Sequence, residues 1–432
     1  MIPRISDPDL EQIGQFMQTA RYEREFENFL AGIGSIGLDK TGGITRLAFS
    51  DEDLKARDSV ITHMQDLLGL DVRIDAWGNI IGRRPGSHAD RSPLMTGSHL
   101  DTVRHGGKFD GAAGVFCGLE MIRILNQLDI QTRHPIEVVV FAAEEANQSG
   151  ISTIGSRGVT GRLTRQALET CCDDQGIPLL QAIEKAGGNP SLMDQSVYRP
   201  GAVKAFIEIH NEQMPRLEDT GNQLGIVMGV TGIRRRRFTF EGTAGHGGTI
   251  PMNRRQDALA AAADMIGAVR RAALANEDDS VATVGHISVS PNSVSVVPGR
   301  VKLEMEICSY EPGGIDRIDE AVQQAVREYE TTYGVSVHRS FPFYDNVPRQ
   351  FSHRIRSALT RAAAQCDLRT MDLVSMAGHD AYHMSYVTDS GMLFIPSRNG
   401  KSHCPEEFSD PVSMVHATQV LLTALLLIDK EE

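Results

Sequence analysis

Apolar residues along the chain follow two rhythms. To about residue 90 the pattern reads as largely helical, with residues 54–68 carrying apolar positions at helical spacing up to Gly69. Val72 and Ile74 then suggest a short strand, Trp77-Gly78-Asn79 a turn, and Ile80-Ile81 another strand. From there strands and helices alternate. Leu94-Met95-Thr96-Gly97-Ser98 reads as a strand, and Val115, Leu119, Ile122 and Leu125 form one helix face. Residues 136–143 and 203–209 are nearly continuous apolar runs, as expected for strands buried on both faces. This alternation predicts an α/β domain with a central, mostly parallel sheet.

The middle of the chain changes character. Residues 237–242, 280–288 and 301–307 read as strands, and 256–274 and 315–329 as helices. That order predicts an inserted α+β sandwich. The expected division is a discontinuous first domain over 1–213 and 332–432, with the insert over 214–331. Strand and helix signals resume at 355–364 (helix) and 391–395 (strand). Residues 415–428 are strongly apolar but carry His416, Thr418, Gln419 and Thr423; they read as a buried helix, too short for a bilayer.

Composition narrows the function classes. The chain has 432 residues, which suits two or three domains. With 43 Lys plus Arg against 56 Asp plus Glu, its net charge is −13, which disfavours nucleic-acid phosphates and anionic membranes as partners. The basic run Arg234 to Arg237 is expected to be a solvated or ion-paired strand face. Six cysteines with no CxxC pair, and no apolar N-terminal signal, point to a reduced, cytoplasmic protein.

Ligand-type residues gather where predicted strands end: Ser98-His99-Leu100-Asp101, Phe109-Asp110-Gly111, Glu144-Glu145, Glu208-Ile209-His210 and Ser402-His403. Ligands of open α/β sheets bind beyond the carboxyl ends of strands. Mixed imidazole and carboxylate donors suit zinc, manganese, cobalt or nickel. His99, His210, His403, Asp110 and Glu145 can hold two ions if one carboxylate bridges, and such a pair activates water. Asp101 could orient an imidazole. If Glu144 and Glu145 continue a strand, their side chains diverge, leaving one as ligand and one as general base. Taken singly, each element has an ordinary structural reading. No GxSxG or cysteine nucleophile pattern is present.

The strings GSHLDTVRHGGKFDG (97–111), FAAEE (141–145), EIHNEQ (208–213), GHGGTIPMNRRQD (245–257), MAGHDA (376–381) and PSRNGKSHCPEE (396–407) resemble the M20-type metallopeptidase superfamily. Within it they resemble the hydantoinase/carbamoylase branch of N-carbamoyl-L-amino-acid hydrolases, β-ureidopropionases and allantoate amidohydrolases. GGITRLAFSDEDLKARD (42–58) and DAWGNIIGRRPG (75–86) fit too. The resemblance implies two divalent metal ions, zinc first and otherwise manganese, cobalt or nickel. It implies His99, Asp110 (bridging), Glu145, His210 and His403 as ligands and Glu144 as general base. It implies that His246 stabilises the oxyanion, that Gln213 contacts substrate, and that the insert is a lid that also forms a homodimer. The reaction would be hydrolysis of a linear amide or ureido C–N bond in a small molecule; a carbamoyl substrate would yield an amine, CO₂ and ammonia.

The chain departs from that pattern where a substrate carboxylate would be held. Ser295 stands where the branch usually has Asn, and Cys308 where it usually has Arg. A neutral thiol cannot make the bidentate contact of a guanidinium. The substrate is expected either to lack the carboxylate or to present it to Arg398 or Arg300. Glu145 is followed by Ala-Asn-Gln-Ser rather than the usual Gly-containing run, and Met214 replaces Gly. Alternatives are an N-acyl amide or small peptide substrate, or a non-catalytic binding relative.

Overall fold

The computed structural model describes residues 8–17, 21–145, 150–173, 175–342 and 344–431, in two compact units. The first runs to Met228 and resumes over Phe351–Leu373 and His379–Glu432; the second comprises Gly229–Gln350 and Val374–Gly378. The boundaries expected after 213 and 331 thus fall later. The Leu224–Val230 strand, which starts beyond the expected boundary, pairs with Ser390–Ile395 of the first unit. Ser336–Arg339 pairs with Gly232–Glu241 of the second.

In the first unit, Ile136–Phe141, Leu94–His99, Ala205–Asn211 and Ser390–Ile395 lie side by side in that order, all parallel. Every residue of these four strands is buried, which is why they read as continuous apolar runs. The flanks are antiparallel: Ile80–Arg84 and Asp71–Ile74 on one side, Leu224–Val230 on the other. The expected parallel sheet is therefore the centre of a wider mixed one.

Helices pack against this sheet. Ala112–Gln127 packs on the Leu94 and Ala205 strands and buries Val115, Leu119, Ile122 and Leu125. Pro411–Asp429 starts with the Asp410 side chain accepting from the Val412 N–H and with proline in its first turn. It is long and apolar enough to cross a membrane, with a mean hydropathy of 1.7. Its apolar residues instead fill the core, against Ala112–Gln127 and His353–Gln365.

In the second unit, Ser336–Arg339, Gly232–Glu241, Arg300–Ser309 and Val281–Ser290 form an antiparallel sheet. Val301, Leu303, Met305 and Ile307 alternate inward to pack with helices Ala258–Leu274 and Gly314–Tyr333. The arginine run is ion-paired: Arg234 with Asp316 and Asp345, Arg235 with Glu306, Arg236 with Asp319, and Arg237 with Glu304.

Leu421 is fully buried in the last helix, and the single tryptophan, Trp77, is fully buried in the first unit. Leu421→Ala is expected to destabilise the first unit by about 2–5 kcal/mol. The check is a lower denaturant midpoint for the red shift of Trp77 fluorescence.

Candidate metal centre

Because the four central strands are parallel, their carboxyl ends share one edge. His99 is the last residue of its strand and His210 the penultimate residue of its own. Glu144 and Glu145 follow the strand ending at Phe141, and His403 follows the one ending at Ile395. Asp110 enters from the loop before helix Ala112–Gln127. The next residue, Gly111, has a φ of 64°, and a β-carbon there would fall on the His99 ring.

The donor atoms meet around Asp110. Its Oδ1 lies 3.1 Å from His210 Nε2 and 3.6 Å from His99 Nε2. Its Oδ2 lies 3.1 Å from His403 Nε2, which is 3.0 Å from Glu145 Oε1. Two groups with metal-ligand spacing result, His99–Asp110–His210 and Asp110–Glu145–His403, and Asp110 serves both with different oxygens. A third grouping, Glu208–His210–His379, reuses His210, and both Glu208 oxygens already accept hydrogen bonds, from Ser98 Oγ and the Ala381 N–H at 2.7 Å each.

The hydrogen bonds around the two Asp110 groups fit a cation. His99 Nδ1 is 2.9 Å from the Asp101 carbonyl, and His210 Nδ1 is 3.0 Å from the Asn211 carbonyl. Carbonyls only accept, so each Nδ1 carries the hydrogen and each neutral ring aims a lone pair at Asp110. Acceptors facing acceptors need a positive charge between them. Without an ion, protons supply it. Burial opposes the His99 imidazolium, but Asp110, Glu144 and Asp101 outweigh it and raise its pKa well above the usual value. His403 is pushed up to about 11 by its hydrogen bonds to Asp110 and Glu145. Burial likewise works against the Asp110 carboxylate, yet His210, His403 and His99 hold its pKa well below the ordinary range.

Glu144 and Glu145 approach different histidines, His99 and His403, but strand alternation does not place them. The strand stops at Phe141, and Ala143 has a φ of 53°. Asp101 fixes this turn: its carboxylate accepts the N–H groups of Glu144 and Glu145 at 3.2 and 3.0 Å. Asp101 thus orients His99 through its backbone carbonyl, while its side chain holds the two glutamates. Burial raises the Asp101 pKa to about 7. Glu144 is buried with Oε2 3.8 Å from His99 Nε2; burial, then Glu145 and Asp380, hold its pKa well above the usual carboxylate value.

Arg46, His379 and Glu208 support the cluster without a role that the sequence assigns. Arg46 is fully buried and donates from Nε to the Leu100 carbonyl at 2.7 Å, fixing the peptide between His99 and Asp101. His379 packs edge-on against His210, ring centres 4.5 Å apart. Glu208 ties Ser98 to the segment after His379. Arg46, Glu208 and His379 all sit inside strings quoted above, but only burial reveals their task.

Gln213 reaches the cluster, donating from Nε2 to Asp110 Oδ2 at 2.9 Å. Arg398 does not join it; the side chain is exposed and its guanidinium lies 3.8 Å over the Phe408 ring. In the second unit, His246 and Ser295 lie close together: His246 pairs with Val296, and the Gly247 N–H donates to the Ser295 carbonyl at 2.7 Å. Both side chains are exposed. Cys308 is buried with Sγ 3.7 Å from Glu306 Oε1; burial, then Glu306, pushes its pKa up to about 12, so the thiol is neutral. Arg300 lies 3.6 Å from Glu241. Residues 146–149 lie outside the described residues.

A model of Peptidase family M20/M25/M40 matches residues 95–427. The chain belongs to this family. It is 35% identical to an N-carbamoyl-L-amino-acid amidohydrolase of Paenarthrobacter aurescens over 388 residues, 90% of this chain and 94% of that one. It is 31% identical to an allantoate amidohydrolase of Bacillus subtilis over 393 residues, 91% and 94% of the two chains. The crystal structure of a hydantoinase/carbamoylase family amidase from Burkholderia multivorans superposes with a TM-score of 0.85 at 33% identity, covering 95% of this chain and 98% of that one. This M20 chain is a hydrolase, and its clusters suit a divalent metal.

Because His403, with a pKa pushed up to about 11, is protonated at neutral pH when no ion is bound, and the pKa of His99 is raised too, metal must displace protons. Affinity for zinc or manganese is expected to rise with pH. Calorimetric titration at pH 7 in buffers of different ionisation enthalpy should show net proton release; none would contradict ligation by these imidazoles.

Proposed function

We propose that the chain is a cytoplasmic, homodimeric amidohydrolase. It cleaves the linear C–N bond of a small N-carbamoyl or ureido compound with two divalent ions, zinc first among the candidates. The observation that carries this reading is the sharing of Asp110 between two three-residue groups, in a family whose relatives above are named for N-carbamoyl amino acids and allantoate. His99 and His210 would hold one ion and Glu145 and His403 the other, with Asp110 common to both. Bound there, the ions would acidify a water and polarise the scissile carbonyl.

The chain's own groups would do the rest. Glu144, buried beside His99 with a raised pKa, takes a proton from the attacking water and passes it to the leaving nitrogen. By the family resemblance, His246 would donate a hydrogen bond to the developing oxyanion. Gln213 would turn its amide from Asp110 to substrate. The half-exposed His403 marks the open side of the cluster. With a carbamoyl substrate, attack at the carbamoyl carbon releases an amine, CO₂ and ammonia.

The substrate's carboxylate, if it has one, is not held as the branch resemblance implies. A buried, neutral Cys308 offers an anion no positive charge, and the Glu306 carboxylate beside it disfavours one. Neutral ureides are expected to match N-carbamoyl amino acids in kcat/KM within about tenfold, a margin of about 1.4 kcal/mol. Any carboxylate preference should fall in Arg398→Ala or Arg300→Ala. A strong preference unchanged by both substitutions would contradict this.

Two further substitutions test the assigned roles. Glu144→Gln should abolish turnover while leaving metal content unchanged; loss of metal would move Glu144 into the ligand set. His246→Ala should lower kcat by about 10²–10³ with little change in KM.

A further inference from the structure

Glu407 is a buried carboxylate that the proposed reaction does not use. It is 5% exposed and belongs to the turn just after His403. Each oxygen has its own task. Oε1 accepts the N–H groups of Phe109 and Asp110 at 2.9 and 3.0 Å. Oε2 lies 2.7 Å from Ser402 Oγ, which in turn lies 2.9 Å from Asp110 Oδ2. One side chain thus ties the backbone of the Asp110 loop to the residue preceding His403.

The socket is built for this carboxylate. A β-carbon on Gly107 would overlap the Glu407 carboxyl group, so the loop can close over it only with glycine there. The two N–H groups precede the Gly111 cap of helix Ala112–Gln127, and the carbonyls of the same two residues accept from the Ala113 and Ala112 N–H groups, so this backbone is held from both sides. The two loops lie far apart in sequence, yet their side chains must meet, with Asp110 Oδ2 3.1 Å from His403 Nε2.

We propose that Glu407 is a positioning residue that sets the spacing between Asp110 and His403, and so the affinity of the Asp110–Glu145–His403 group for its ion. The inference rests on reading that group as a metal site. Partners that orient metal ligands typically contribute 10- to 100-fold in metal affinity.

The test is chelator-competition titration with zinc and with manganese on wild type, Glu407→Ala, Glu407→Gln and Ser402→Ala. Glu407→Ala should weaken binding of one ion roughly 10- to 100-fold, measured at a temperature where the metal-stripped variant is still folded by circular dichroism. Glu407→Gln keeps an oxygen for the two N–H groups and can donate to Ser402, so it should recover most of that loss. Ser402→Ala should show a smaller loss and carries the test if Glu407→Ala does not fold. Wild-type affinity in folded Glu407→Ala, or in Ser402→Ala where Glu407→Ala fails to fold, would overturn the inference. So would a Gln variant as weak as the Ala variant, since charge rather than spacing would then be decisive. A wild type that binds no ion would instead overturn the metal reading, and this inference with it.

Discussion

Asp110 is buried with one carboxylate oxygen facing two imidazoles and the other facing a third, and most of the surrounding architecture can be read as what that arrangement demands. An ionised carboxylate inside a protein must be matched by positive charge and fixed donors. The match is assembled beyond three strand ends that are adjacent only because the central sheet is parallel. Gly111 keeps room for the His99 ring, and Gln213 and Ser402 contact the same Asp110 oxygen. His99 and His210 are already turned with Nε2 toward Asp110, because backbone carbonyls hold their Nδ1 atoms.

Behind this cluster lies a layer of buried polar groups that hold backbone as much as side chains. Asp101 grips two successive N–H groups and so fixes the backbone at Glu144 and Glu145. Arg46 grips the Leu100 carbonyl from a segment more than fifty residues earlier. Glu208 joins Ser98 to the backbone beside His379 and Asp380. Substitutions here would move the site without touching its ligands, because each contact fixes a peptide whose neighbour points into the cluster.

Much of this was legible in the sequence, for identifiable reasons. Residues 136–143 and 203–209 read as buried strands because parallel strands covered on both faces lose the polar half of their alternation. Ligand-type residues at the ends of those runs could be placed on one edge by topology alone. The Glu144–Glu145 pair was found, but its geometry came from a turn and an Asp101 clamp rather than from a pleat. The domain limits were set too early, because pairing across long sequence separations, not local composition, assigns the Leu224–Val230 and Ser336–Arg339 strands. Arg46, Glu208 and Glu407 were invisible as supports, since a charged residue is usually exposed and nothing local announces its burial. The short helices Ile154–Val159, Arg165–Leu168 and Leu179–Lys185 were missed because four to seven residues give too little periodicity to read.

The central claim is that one carboxylate serves two ions. It is tested most directly by the ratio of divalent metal to chain, measured by mass spectrometry on protein stripped and reloaded with zinc or manganese, for wild type beside Asp110→Ala. The account predicts two ions per wild-type chain and the loss of both together in the variant. A wild type holding one ion or none, or a variant that keeps one tightly bound, would contradict it.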